Sequence, residues 1–145
     1  RKSAWRLHPF YTDAWASEDT EWGHWASQNG RVIRYIPEAL VMHSHNYTLR
    51  QLYGRRFVEG EADAFIYGGG DSLPAMARRF LTSAARDGAD HLLRRRWSHI
   101  PGILPRRAVY HWAYYKGHRL GERRRDSGDK NARTGQDVVL SRYDQ

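Results

Sequence analysis

The 145-residue chain predicts an α/β fold, short strands among helices, followed by a helical basic extension. Three observations predict it. Residues 31–36 and 39–42 are short, apolar, β-rich runs separated by Pro37, as expected of neighbouring strands inside a sheet. Helical spacing of apolar residues, with its own start and stop signals, brackets those runs on both sides. The charge is lopsided: residues 1–70 hold eight basic and eight acidic side chains, whereas residues 71–145 hold sixteen and eight, so the net +8 belongs to the second half. The expected division is 1–67 for the α/β part, 68–120 for the basic helical extension and 121–145 for a disordered tail.

Composition narrows the classes. With 40% apolar residues the chain can build one modest core. It has no Cys, which excludes disulfides and thiolate metal sites and fits a reducing, cytoplasmic setting. No run of 18 apolar residues is present, so no membrane-spanning helix is expected. Six Trp and nine Tyr suit surfaces that are apolar on one side and polar on the other, such as sugar sites, interfaces and membrane surfaces. The chain opens on Arg rather than Met, in mid-pattern, which leads us to expect a piece of a longer protein.

Taken in order, residues 1–12 alternate weakly, and Pro9 restricts them to a loop or an edge strand. Ser17 is a suitable N-cap for a helix reaching about Asn29, with Gly30 as its stop and Trp22, Trp25 and Ala26 as its buried stripe. After the two strand runs, Thr48 caps a helix to about Tyr67, ended by the joint Gly68-Gly69-Gly70. That joint lacks the surrounding pattern of a phosphate loop. Asp71-Ser72-Leu73-Pro74 opens a third helix to about Trp97, weakened at Gly88. Pro105 suits the first turn of a fourth, with Ala108, Val109, Trp112 and Tyr115 on one side.

Two places could carry chemistry. Glu18 and Asp19 sit in the first turn of a helix, where the dipole favours anions. Stabilisation of the helix alone accounts for them, but a carboxylate held there can also take a proton from a hydroxyl. His43 and His45 fall at the carboxyl end of a strand, where open sheets place ligands. Alternate residues face opposite sides, so the two would not chelate together. A structural role accounts for either, and one neutral imidazole could contribute to a metal site.

The segments Trp15-Ala-Ser-Glu18-Asp19-Thr-Glu21-Trp22, Gly30-Arg-Val-Ile, Tyr35-Ile-Pro37-Glu-Ala39-Leu-Val41-Met-His43-Ser-His45 and Arg56-Phe57-Val-Glu-Gly60 together resemble the C-terminal, acceptor-side half of family 2 glycosyltransferases, rhamnosyltransferase-like enzymes of the GT-A fold. The resemblance spans about residues 3–67. It implies an inverting, metal-assisted transfer from a nucleotide sugar to a carbohydrate or lipid-linked acceptor, as in cell-wall or polysaccharide synthesis. Asp19 would be the base, and Glu18 would help hold the acceptor. His43, with His45 the lesser choice, would bind Mn²⁺ or Mg²⁺. Arg55 or Arg56 would lie near the donor diphosphate, although a solvated helix arginine fits equally well. Trp22 or Trp15 could stack on the acceptor sugar, although packing explains both. The donor-binding half and its Asp-x-Asp motif are absent, so this piece is expected to be inactive alone.

The extension interleaves Arg and Lys with Trp97, Tyr110, Trp112, Tyr114 and Tyr115. Three uses fit: helices packed on the core with solvated cations, peripheral contact of residues 94–119 with an anionic membrane, and, as the weakest, nucleic-acid binding. A non-catalytic basic module is therefore the rival to the enzyme reading.

Overall fold

The computed structural model describes residues 2–10, 17–42 and 46–127, and among these there is no strand. The elements are α1 (Lys2–Leu7), α2 (Glu18–Gln28), α3 (Leu49–Tyr67), α4 (Leu73–Leu93), a 3-10 turn (Trp97–Gly102) and α5 (Ile103–Asp126). The expected α/β fold, a strand-bearing half of a GT-A domain, is thus corrected to an all-helical arrangement of the described residues. The reason is physical. A strand exists only through a partner that takes its N–H and C=O groups. The backbone bonds here close local turns, from Arg31 N–H to Ala26, Ala39 N–H to Ile36 and Leu40 N–H to Glu38. Val32, Tyr35, Leu40, Val41 and Met42 are each at least four-fifths exposed.

Helix ends follow local chemistry. Thr48 and Gln51 form a reciprocal capping box at the start of α3. Ser72 accepts from Ala75 N–H ahead of Pro74 at the start of α4. Gly30, in the left-handed region at φ 67°, follows α2 as the sequence predicts. Ser17 N-caps α2 without a side-chain capping bond, and Asp19 instead accepts from Thr20 N–H at 2.8 Å. Three boundaries differ from expectation. Residues 2–7 form a short helix rather than a loop or edge strand. α4 passes through Gly88 unbroken and stops at Leu93. α5 continues past Gly121, where the tail was expected, to Asp126. Residues 128–145, the rest of that tail, lie outside the described residues.

The core is the seam between α3 and α5, which run parallel. Arg106 reaches Tyr47 O at one end, and Arg125 donates to Ala64 O at 2.9 Å near the other. Between them the backbones nearly touch. A Cβ at Gly60 would collide with Tyr114 O, and one at Gly117 with Phe57 O. One at Gly121 would stand 2.6 Å from Glu61 O. Ala64 and Ala113 are fully buried beside them. Only residues without bulk at these positions allow so close an approach. The expected boundary at residue 67 falls between two helices that pack along one another.

α4 returns antiparallel to α5. Arg107 holds Asp87 at 2.5 Å and Ser83 Oγ lies 2.8 Å from His111 Nε2, and at the opposite end Asp71 N–H donates to Glu122 at 3.1 Å. In the seam itself Glu61 is fully buried and paired with Arg124 at 2.5 Å, while its second oxygen has no partner. Burial pushes the Glu61 carboxyl up to about 7 against the opposing pull of Arg124. Among the described residues no helix is long and apolar enough to cross a membrane.

Candidate functional site

The start of α2 and the three long helices line an open cavity of about 600 Å³. Ser17, Asp19 and Thr20 line it from α2. Arg55, Arg56, Glu59, Asp63 and Tyr67 line it from α3, Arg79 from α4, and Tyr110, His111 and Tyr114 from α5. Three residues singled out in the sequence, Asp19, Arg55 and Arg56, therefore meet in one place.

Helical spacing explains the α3 wall. Arg55, Arg56, Glu59 and Asp63 recur at intervals of three and four and so share a face. Arg55 Nε bonds Glu59 at 2.7 Å, and Arg56 pairs with the same carboxylate. The Arg56 guanidinium lies 3.9 Å from the centre of the Tyr110 ring and 4.9 Å from that of Tyr114. Such cation–π contacts attract the guanidinium to the ring faces in addition to its ion pair. Its Nε is buried without a hydrogen-bond partner. Arg79 is drawn to Asp71 at 2.5 Å. The cavity's guanidiniums are thus matched by carboxylates, and the wall is polar without a large net field.

The α5 wall is set by Tyr114, whose hydroxyl donates to Asp63 at 2.7 Å. Burial and that bond raise the Tyr114 pKa, so the phenol keeps its proton. Burial, followed by the charges of Arg107, Arg79 and Arg56, lowers the pKa of His111. His111 is neutral at pH 7. Its folded-state pKa lies below the unfolded value, so the stability it contributes is complete above about pH 6.5 and lost as pH falls through the folded pKa. Asp19 is exposed at the cavity mouth, not sealed beneath side chains.

The other sequence candidates fall elsewhere. Glu18 is exposed and does not line the cavity. Trp22 is taken up by packing: its Nε1 donates to His8 O at 2.8 Å, and its ring meets Phe10 and Trp25. His43, His45 and Trp15 lie outside the described residues. Among the described residues no group of three or more His, Asp or Glu could hold a metal ion. Sequence reasoning missed Tyr110, His111 and Tyr114 as site residues. The i, i+4 spacing of Tyr110 and Tyr114, carried on to His118, was the available signal.

Comparison with protein-family models, curated proteins and solved structures finds no match.

Proposed function

We propose that this chain carries the acceptor side of a glycosyl-transfer site, with the sugar in the cavity between α2, α3, α4 and α5. The carrying observation is that Asp19 shares that cavity with Arg56, whose guanidinium lies over the rings of Tyr110 and Tyr114. Balanced charges suit a neutral, hydroxyl-rich ligand better than a free anion. Tyr rings offer flat apolar faces, and Arg, Asp and Glu side chains offer directional hydrogen bonds. The unpartnered Arg56 Nε could donate to a hydroxyl oxygen. Pairing with Glu59 favours this use of Arg55 and Arg56 over direct capture of a diphosphate.

In the proposed reaction Asp19 takes the proton of an acceptor hydroxyl as that oxygen attacks the anomeric carbon of a nucleotide sugar. The new carbon–oxygen bond forms on one face as the bond to the diphosphate breaks on the other, inverting the centre. Donor binding is supplied from outside this chain. The divalent ion that the resemblance implies would be held by His43, which lies outside the described residues.

The test uses the chain together with its donor-binding component. Asp19→Asn is expected to lower transfer by about 10²–10⁴-fold while leaving acceptor affinity unchanged. Undiminished turnover would remove Asp19 from the base role.

A further inference from the structure

Away from the cavity, one end of the helical unit combines bare apolar side chains with unmatched cations. Here α4 ends, the 3-10 turn passes, and α5 begins. Leu93 is 85% exposed, Trp97 62%, Leu104 60% and Leu92 46%. Between Leu93 and Trp97 the chain reads Arg94-Arg95-Arg96, all three exposed. Arg94 closes on Asp90 at 2.7 Å. Arg95 and Arg96 have no carboxylate within ion-pair distance among the described residues. The turn is also strained: Arg95 takes φ 55°, a region that side-chain-bearing residues seldom occupy. Burial of Arg95 does not hold it there, because the residue is exposed.

We infer that this corner is a docking surface for an anionic phospholipid bilayer. Leu93, Trp97 and Leu104 enter the headgroup boundary, and Arg95 and Arg96 meet the lipid phosphates. Charge complementarity selects an anionic surface, since Arg95 and Arg96 stand exposed beside the apolar side chains with no carboxylate within ion-pair distance among the described residues. The leucines select lipid over nucleic acid. Single strands are bound by aromatic stacking and cations, and exposed aliphatic side chains add nothing there. At a bilayer, leucine and tryptophan beside arginine are the composition of segments that lie in the interface. Docking would place the unit on the membrane without a spanning helix. This inference is independent of the glycosyl-transfer reading.

Co-sedimentation with vesicles tests it, comparing pure phosphatidylcholine with a mixture holding about 30% phosphatidylglycerol. Binding to the mixture is expected to be at least about tenfold tighter and to weaken as salt rises. The pair Leu93→Asn with Trp97→Ser should cut binding to the mixture at least about fivefold with an unchanged melting curve, because both side chains are exposed. Independently, Arg95→Glu with Arg96→Glu should abolish the preference for the anionic mixture. Equal binding to both vesicle types, or full binding by both variants, would overturn the inference. So would binding of a single-stranded oligonucleotide without vesicle binding.

Discussion

The α3–α5 seam and residues 31–42 reverse the usual relation between hydrophobicity and burial. The seam is built from Gly60, Ala64, Ala113, Gly117 and Gly121, which have little or no side chain, yet it forms the centre of the molecule. Residues 31–42 carry Val, Ile, Tyr, Leu and Met, yet most of that bulk stands in solvent. What separates them is the satisfaction of backbone groups. A helix closes its own hydrogen bonds and can then be packed, whereas an apolar run with β propensity needs another strand before burial is possible.

The comparison can be broken most severely at the crossing. Gly117→Val places a side chain against Phe57 O and should cost about 3 kcal/mol or more, seen as a large fall in the thermal midpoint. A variant melting like the parent would show that the helices are farther apart than described. Glu61 sharpens the picture next. Its folded pKa is raised, so its stabilising contribution is complete below about pH 4.5 and lost as pH rises through 7. Across that window the loss is about 3 kcal/mol. Denaturation at several pH values should show stability falling with this slope, and Glu61→Gln should flatten it. A smaller effect of opposite sign is expected at Gly88, where an added Cβ meets open space within α4. Gly88→Ala should stabilise by about 0.5–1 kcal/mol in chemical denaturation. Smallest of all, Val41→Thr or Leu40→Ser should change stability by less than about 0.5 kcal/mol. A larger loss would mean that residues 31–42 are buried in solution.

These contrasts explain what the chain makes legible. Helix ends were readable at Gly30, Thr48 and Ser72-Pro74, because caps and stops depend on a few adjacent residues. Strands were misread, since propensity at 31–36 says nothing about whether a partner is near. The apolar side of α5 read from the sequence, Ala108, Val109, Trp112 and Tyr115, includes Trp112 at 45% exposure, and it is the glycine face that packs. Apolar periodicity does not register glycine, although the four-residue repeat Ala113, Gly117, Gly121 was there to be read. In the candidate site the sequence singles out Asp19, Arg55 and Arg56, but Tyr110, His111 and Tyr114 come from about 55 residues beyond the arginines and about 90 beyond Asp19, a separation that no local pattern bridges.

The central claim, that the cavity beside Asp19 receives a sugar, is tested most directly by NMR titration of the chain with a panel of mono- and disaccharides. The account predicts that a binding saccharide shifts the signals of Thr20, Tyr110, His111 and Tyr114, and that Arg56→Met weakens it about tenfold. Shifts confined to other surfaces, or none with any saccharide, would contradict it.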